Sequence, residues 1–286
     1  MGATSDLVTD LDRAHLAARA AAAASGVEVR EVTDLDDLDA VHRLFDGIWR
    51  PDPTNPPVTT KLLRALSKVG NLVSGAFDGP VLVGACVGFF GAPAARLLHS
   101  HVAGVSPKAA GRHVGYALKL HQRAWALERG VTSVEWTFDP LVARNAHFNI
   151  TKLGARPAEY LANFYGGMDD DINGDDDSDR LLVAWDLAGA AGTPGDARAE
   201  LARGAVVALG RSPHGTPVSG SSSDGRTLLV AVPTDVEALR STDPGRAKEW
   251  RAAVRDALGG ALAGGWRITG FDRAGWYVLT HEEGSR

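Results

Sequence analysis

The stretch that decides the fold is His99–Gly130, which reads HSHVAGVSPKAAGRHVGYALKLHQRAWALERG. A strand-like run over Arg96–Val105 ends before Pro107, and a glycine-containing loop follows. Apolar residues then recur at helical spacing from about Arg112 to Arg129. The amides of such a loop and the positive end of the helix dipole are suited to holding a pyrophosphate. The spacing matches neither a Walker A loop nor the Rossmann glycine pattern, so an ordinary strand–turn–helix remains the alternative.

The sequence on both sides of this stretch predicts strands and helices in mixed order. Runs rich in β-branched and aromatic residues are separated by turn residues, whereas two segments show helical period. Such an order is typical of a mixed α/β layer fold. The predicted elements nearest the deciding stretch are strands over Leu72–Phe77, Val81–Gly91, Val131–Phe138, Tyr160–Tyr165 and Leu181–Leu187, and a helix over Pro140–Leu153.

The motif after the strand resembles the signature of the GNAT superfamily, N-acyltransferases that use acyl-coenzyme A. That signature is Val-x-Pro at a strand end, then Gln/Arg-x-x-Gly-x-Gly/Ala at the next helix start. Val105-Ser106-Pro107 anchors it, which places the second part at Ala110–Gly115. Ala110 replaces the Gln or Arg, and His113 replaces the central glycine. A shifted register over Arg112–Ala117 fits the consensus letters but lengthens the loop by two residues.

The resemblance continues through Val131–Ala155 and Asn163–Trp185, and it is closest to long bacterial members with a C-terminal extension. The predicted fold class is α/β, with a GNAT-like mixed, mostly antiparallel sheet flanked by helices and a small C-terminal α/β module. We predict an N-terminal helical extension over residues 1–26, an acyl-CoA-binding domain over 27–187, a linker over 188–200 and the module over 201–286. The module could close the acceptor pocket, mediate homodimerisation or be a second copy of the fold.

The resemblance implies acetyl-CoA or another acyl-CoA as co-substrate. In GNAT enzymes the two central strands splay apart and expose backbone groups to the pantetheine arm and the thioester. Phosphate contacts come from amides at the following helix start. The implied contact residues are Ala103, Gly104 and Val105 on the strand, Gly111, Arg112, His113, Val114, Gly115 and Tyr116 at the helix start, and Asn145 near the start of the next helix.

Acyl transfer to an amine requires that the amine lose a proton, that the oxyanion be stabilised and that the thiolate leave. The family's leaving-group acid is a tyrosine two residues before the lysine of Lys-x-Gly, and Ile150 occupies that position here. We predict Tyr165 as the replacement acid and Tyr160 as the next candidate. The alternative for Tyr165 is an aromatic ring packed beside the last strands.

The predicted base is a histidine or a carboxylate. His99 and His101 alternate on one strand and therefore project from one face, where a neutral imidazole could accept a proton. Hydrogen-bonded core histidines are the alternative, and a metal pair lacks an evident third ligand. Asp139, at a strand end before Pro140, is another predicted acid or base, with helix capping as its alternative; Glu135 is less favoured.

Composition narrows the class of protein. The chain has 286 residues and a net charge of −5. A weakly acidic protein has no general positive field, so binding of nucleic acid is disfavoured. One cysteine, Cys86, excludes an intrachain disulfide, and the longest strongly apolar run, Val81–Ala92, is too short to cross a membrane. We expect a cytoplasmic protein. The acidic run Asp169–Asp177 matches several EF-hand positions, but Arg180 stands at position twelve, so we predict a solvated acidic loop and no metal.

The predicted function is acyl-CoA-dependent N-acyltransfer, with acetyl as the first choice of acyl group. The predicted acceptor is a small-molecule amine or an amino acid, with no nucleic acid or membrane partner. The alternative is a non-catalytic GNAT-shaped protein that binds acyl-CoA or another ligand. A calcium-regulated protein ranks last.

Overall fold

The computed structural model describes residues 2–52, 55–168, 174–221 and 226–281, with side chains from residue 10 onward. The chain forms two compact units. The first comprises residues 1–136 and 186–188, and the second comprises residues 137–185 and 189–286. The boundary falls inside a strand, so that strand contributes to both units.

The first unit is a sheet with helices on both faces. Neighbouring strands are antiparallel except β4 and β5, which are parallel. The order of the whole seven-stranded sheet is β1-β2-β3-β4-β5-β7-β6. The elements of the first unit are α1 Gly2–Ala24, β1 Glu28–Glu31, α2 Leu35–Trp49, α3 Thr60–Lys68, β2 Leu72–Asp78, β3 Val81–Phe90, β4 Leu97–Val105, α4 Val114–Glu128 and β5 Ser133–Phe138.

The alternation of β3 explains how one sheet supports two cores. Ala85 and Val87 pack with residues of α2 and α3, whereas Cys86 between them packs with residues of α4. Successive residues of a strand point to opposite faces, so an apolar strand is covered on both sides. Helix α4 accordingly has most of its surface buried, including a lysine, Lys119, that is 6% exposed.

Strand β4 carries a bulge at the place where its two histidines lie. Val87 pairs with Val102, but the next residue, Gly88, pairs with Ser100, so His101 is the extra residue of β4. Beyond the bulge, a Cβ on Gly104 would lie 2.8 Å from both the Ile48 and the Trp49 side chains. Glycine at this position therefore lets α2 pack directly on the β4 backbone.

The second unit contains the remaining strands of the first sheet and a second, five-stranded sheet of order β11-β12-β10-β8-β9. Within it β8 and β10 are parallel and the other neighbours are antiparallel. After β5 the chain forms α5 Ala143–Ala146, a π-helical turn His147–Lys152, β6 Arg156–Leu161, β7 Arg180–Asp186, α6 Ala197–Ala202, β8 Val206–Arg211, β9 Pro217–Ser219, β10 Thr227–Ala231, α7 Val236–Thr242, α8 Pro244–Val254, a π-helical turn Arg255–Gly259, α9 Gly260–Ala263, β11 Trp266–Asp272 and β12 Trp276–His281.

The predicted fold class is confirmed: the first sheet is mixed and mostly antiparallel, helices flank it, and the tail adds an α/β module. The strand predicted over Tyr160–Tyr165 was wrong in its bounds, because β6 ends at Leu161 and Tyr165 lies in a turn. Pro157 argued against a strand at this place. Strand β6 tolerates it because it is an edge strand of the sheet. The predicted domain boundaries remain predictions. No helix in the described part of the chain could span a membrane.

Candidate functional site

Strands β4 and β5 pair only over their first residues. The parallel pairs are Leu97–Ser133, Leu98–Val134 and His99–Glu135, and the described part of the chain contains no β4–β5 pair beyond them. Ser100 on β4 and Trp136 on β5 are thus the first residues past the last pair. We call this place, where pairing stops between Ser100 and Trp136, the fork. Pairing thus ends while both strands continue, which fits the splay that the sequence resemblance implies.

The loop that follows β4 turns its backbone sharply before α4. Pro107–Ala109 form a short 3-10 turn, Gly111 has φ +78° and His113 has φ +63°, and the helix begins at Val114. The first amides of a helix have no intrahelical acceptor and point out of its N-terminus. A Cβ on Gly111 would have no atom within 4 Å, and the His113 side chain is exposed. These residues could accept a pyrophosphate on the open side of the loop.

Arg112 uses its side chain to anchor this loop. Its guanidinium donates to Asp78 Oδ2 at 2.7 Å and to the carbonyl oxygens of Ser25 and Gly26, each at 3.1 Å. The contacts join the α4 loop to the end of β2 and to the turn after α1. The Arg112 amide donates to the Ala109 carbonyl oxygen at 3.4 Å, so the amide contact that the resemblance implies for Arg112 stays a prediction.

Lys119, from the second turn of α4, reaches the fork. Its Nζ donates to Ser100 Oγ at 2.9 Å and to Gln122 Oε1 at 3.0 Å, and it lies 3.8 Å from the centre of the Trp136 ring. Gln122 Nε2 in turn contacts Cys86 Sγ at 3.4 Å. Among the described residues no carboxylate lies within 4.0 Å of this ammonium. A lone charged amine is thus enclosed by hydroxyl, amide, thiol and indole groups.

Burial has a strong effect on this lysine. Loss of hydration lowers the pKa of Lys119 to about 8, and the nearby Cys86 opposes the shift in part. Burial likewise raises the pKa of the Cys86 thiol, so that it stays protonated near neutral pH. Strongly shifted groups with a specific environment are characteristic of functional sites.

The two histidines of β4 share a face, as predicted. Their rings are 6.2 Å apart, and both contact Phe89. Burial lowers the pKa of His99, and the charges of His101 and Lys119 lower it further. Burial also lowers the pKa of His101, although a hydrogen bond with the backbone of Pro57 raises it in part. Both imidazoles are therefore neutral at physiological pH, the form that can accept a proton.

In the second unit, Asp139 lies in a buried charge network. Arg251 binds it through two bonds, Nη1 to Oδ1 and Nη2 to Oδ2, each 2.9 Å long, and Arg240 Nη2 lies 2.5 Å from Oδ2. Both arginines also bond Asp176 Oδ2. The Asp139 Oδ1 atom additionally accepts from the Leu141 amide at 2.9 Å. We call Asp139, Asp176, Arg240 and Arg251 the arginine network.

These bonds determine what Asp139 is able to do. Burial by itself would raise the pKa of Asp139, but the charge and hydrogen bonds of Arg251 and Arg240 lower it below its ordinary value. A carboxylate held in this way is a weak base with both oxygens occupied. The bond from the Leu141 amide closes a turn but is not the helix cap that the alternative named, because α5 begins at Ala143 after Val142. A catalytic Asp139 remains a prediction.

The expectation of a solvated acidic loop was wrong for Asp176, which is buried, whereas Asp175 and Asp177 are exposed. Asp176 and Asp179 are buried, at 5% and 0% exposure. Arg255 bonds Asp179 and Asp177, and Lys248 bonds Asp175. The basic partners come from α8 and the turn after it, which the sequence alone does not bring near this run. Residues 169–173, including the first predicted EF-hand positions, lie outside the described residues.

The tyrosines differ in availability. The Tyr165 hydroxyl lies 3.1 Å from Thr137 Oγ1, and the residue is 42% exposed. Tyr160 instead donates to Asp179 Oδ2 at 2.6 Å, and burial and this bond raise its pKa well above the ordinary value. Asn145 lies half-buried on α5 in the same unit. Of the two predicted acids, only Tyr165 has a hydroxyl free of a carboxylate among the described contacts.

A separate cavity of about 490 Å³ lies in the first unit between α1, β1 and α4. It contains none of the predicted site residues. Two of its wall residues have buried polar atoms without a described partner, namely His121 Nδ1 and Trp125 Nε1. Residues of both charges line it, including Arg19, Glu31 and Glu128. We assign it no role.

Sequence reasoning missed Lys119 and the arginine network. Lys119 falls within the predicted helix on its apolar face, since residues 117, 118 and 120 are buried around it, and a lysine at such a position was a usable signal. The pairing of Asp139 with Arg251 spans 112 residues and had no local signal.

No protein-family model matches the sequence, and no curated protein matches it. Solved structures similar to it include the ribosomal-protein-S18-alanine N-acetyltransferase from Escherichia coli, at 14% identity and TM-score 0.44, covering 60% of this chain and 97% of that one. An N-acetyltransferase from Staphylococcus aureus Mu50 has 16% identity and TM-score 0.44, covering 56% and 98%. The yncA protein from Salmonella typhimurium, solved with its cofactor acetyl-CoA, has 17% identity and TM-score 0.44, covering 60% and 99%.

Proposed function

We propose that this chain is an acyl-CoA-dependent N-acyltransferase, with acetyl-CoA as the first choice of donor and a small amine or amino acid as acceptor. The observation that carries the proposal is the end of β4–β5 pairing at His99–Glu135, followed by the loop at the start of α4. Together the two features support one coenzyme site, with the arm beside the unpaired part of β4 and the phosphates at the loop. We propose a cytoplasmic setting, which a chain with one buried free thiol fits.

The residues that would hold the coenzyme are those implied by the motif. Within Gly111–Tyr116 the amides of Arg112 and Tyr116 already bond carbonyl oxygens of Ala109 and His113, so the other amides of this loop would bind the pyrophosphate. The edge of β4 that does not pair with β5, at Ala103–Val105, would bind the pantetheine arm. When bound, the coenzyme supplies an activated acyl group. His101 is the proposed base because its imidazole is neutral and half-buried on β4.

The first experiment measures binding and then turnover. Acyl-CoA should raise the melting temperature in a concentration-dependent way, because it binds only the folded chain. Release of free thiol should then be screened with acetyl-CoA and succinyl-CoA across amines and amino acids. Binding without thiol release from any acceptor supports the alternative, a non-catalytic acyl-CoA-binding protein. No thermal shift at millimolar ligand contradicts both.

A matched pair of glycine variants tests the phosphate loop. Gly111 and Gly70 both have positive φ and open space where a Cβ would lie, and only Gly111 lies at the start of α4. Each change to alanine should cost about 1 kcal/mol of stability, because alanine is strained at positive φ. G111A should also weaken acyl-CoA binding, and G70A should not. Equal affinities in the two variants would remove the loop from the coenzyme site.

Tyr165 is the proposed leaving-group acid. Tyr165→Phe removes only the hydroxyl, so turnover should fall by roughly 10- to 10⁴-fold while acyl-CoA affinity is kept. Tyr160→Phe is the control, because that hydroxyl is committed to Asp179. Unchanged turnover in Y165F contradicts the assignment.

A further inference from the structure

Lys119 is a buried cation that the proposed reaction has not yet used. Its three N–H groups face Ser100 Oγ, Gln122 Oε1 and the Trp136 ring. All three are neutral groups, and within the described chain no carboxylate balances the charge. A buried charge without a counter-ion is costly, and an anion that entered such a poorly solvated place would be attracted to it strongly.

The position of this cation is specific. Ser100 and Trp136 are the two residues that flank the fork, and Nζ contacts both side chains. The β4 and β5 backbones stop pairing there, so any group that enters between the strands as far as the fork meets this ammonium. Lys119 is also five residues past the first residue of α4, or about 7 to 8 Å along the helix axis from the proposed phosphate loop.

We propose that Lys119 is the site for the sulfur of the coenzyme and that its ammonium stabilises the thiolate leaving group. This inference rests on the proposed function. As the acceptor nitrogen forms its bond to the acyl carbon, the carbon–sulfur bond breaks and sulfur keeps the electron pair beside Nζ. The proton of the acceptor amine goes to the base. Lys119 stays protonated throughout, so charge and atoms balance without a further reactant.

This role explains a departure of the sequence from its family. Ile150 stands where the family has a tyrosine acid. A thiolate that is paired with a buried ammonium is a better leaving group before any proton reaches it, because a cation in a poorly solvated site stabilises an adjacent anion strongly. The titratable neighbours of Nζ are Cys86 on β3 and His99 on β4, and both are neutral near pH 7.

The test compares coenzyme A with desulfo-coenzyme A, which lacks only the sulfur. Calorimetry at pH 7.0 in two buffers of different ionisation enthalpy counts the protons released on binding. Because Lys119 should lower the pKa of the bound thiol, coenzyme A should release close to one proton, roughly one more than desulfo-coenzyme A releases. No acceptor or turnover is needed.

Variants complete the experiment. Lys119→Met keeps the length of the side chain and removes the charge, and it should bind both ligands without extra proton release. Lys68→Met, at the exposed end of α3, is the matched control and should behave as the unmodified chain does.

The outcomes are separable. Binding of both ligands to the unmodified chain with equal proton release overturns the role of Lys119 and leaves coenzyme binding intact. This comparison does not depend on whether K119M folds. Extra proton release that persists in a folded K119M also overturns it. Failure of the unmodified chain to bind either ligand instead contradicts the proposed function itself.

Discussion

The two compact units both bury charge, but they balance it differently. In the second unit, the arginine network sets two carboxylates against two guanidinium groups, with Asp139 bonded at both oxygens. In the first unit, the ammonium of Lys119 has only neutral partners among the described residues. Buried charges that are paired hold each other in one arrangement. A buried cation with only neutral partners still attracts an anion. The comparison therefore separates a structural cluster from a candidate site.

The largest expected effect comes from opening the arginine network. Arg251→Met leaves Asp139 and Asp176 buried with one guanidinium fewer, and removing one partner of a buried pair costs about 3–5 kcal/mol. Urea denaturation measures the loss. The double variant with Asp139→Asn should lose less than the sum of the two single changes, because the carboxylate left without its partner is gone. A loss of under about 1 kcal/mol in R251M would contradict the view that the arginine network stabilises the second unit.

The next effect is a pH dependence that belongs to Lys119. Its pKa is about 8 when folded and about 10.5 when unfolded, so between these values the unfolded chain holds more protons and stability rises with pH. Below pH 8 both states are protonated and the burial penalty is complete. Relative to Lys119→Met, the unmodified chain should gain on the order of 3 kcal/mol from pH 8 to pH 10.5. If the free energies of unfolding of the two proteins change in parallel with pH, burial does not lower the pKa of Lys119.

A smaller effect is expected at the hydrogen bond between Tyr160 and Asp179, in the same unit as the arginine network. Tyr160→Phe removes the hydroxyl that donates to the buried Asp179 carboxylate, and a hydrogen bond to a charged group contributes about 1.5–3 kcal/mol. Denaturation midpoints of Y160F and the unmodified chain give the difference. Since Arg255 also bonds Asp179, the loss should be less than that of R251M. A larger loss than in R251M would reverse the ranking.

The smallest effect is expected at the surface. Lys248 and Asp175 form an ion pair 2.8 Å long with both side chains at least half exposed. Exposed pairs contribute little because water and salt screen them. Lys248→Ala should leave the denaturation midpoint unchanged within error. A clear shift of the denaturation midpoint would mean that an exposed ion pair of the second unit also stabilises the fold.

The sequence predicted much of the first unit because its signals are local. Pro107 and Gly130 flank a helix whose period is visible in the residues, and the alternation of His99 and His101 places both rings on one face. The bulge at His101 and the close approach of α2 to Gly104 have no such signal, since both depend on how neighbouring elements pack.

The candidate site was predictable only in part. The loop before α4 follows from proline and glycine. The charge state of Lys119 depends instead on burial beside Cys86 of β3, Ser100 of β4 and Trp136 of β5, which are distant in sequence and meet only in the folded sheet. The acidic run gives the clearest limit. Its charge suggested solvent, but its partners Arg240, Arg251 and Arg255 lie 64 to 78 residues away in the sequence, so composition near the run could not reveal them.

The span between Asp139 and Arg251 has a consequence for biosynthesis. The aspartate leaves the ribosome 112 residues before the arginine, which at about 5–20 residues per second is a delay of roughly 6–22 s. Arg240, the other guanidinium partner of Asp139, follows 101 residues after it, so the carboxylate lacks both of its folded-state partners for most of this interval. The second unit therefore cannot complete its buried charge network before the last third of the chain is made. A chain truncated before Arg251 would leave Asp139 without this partner.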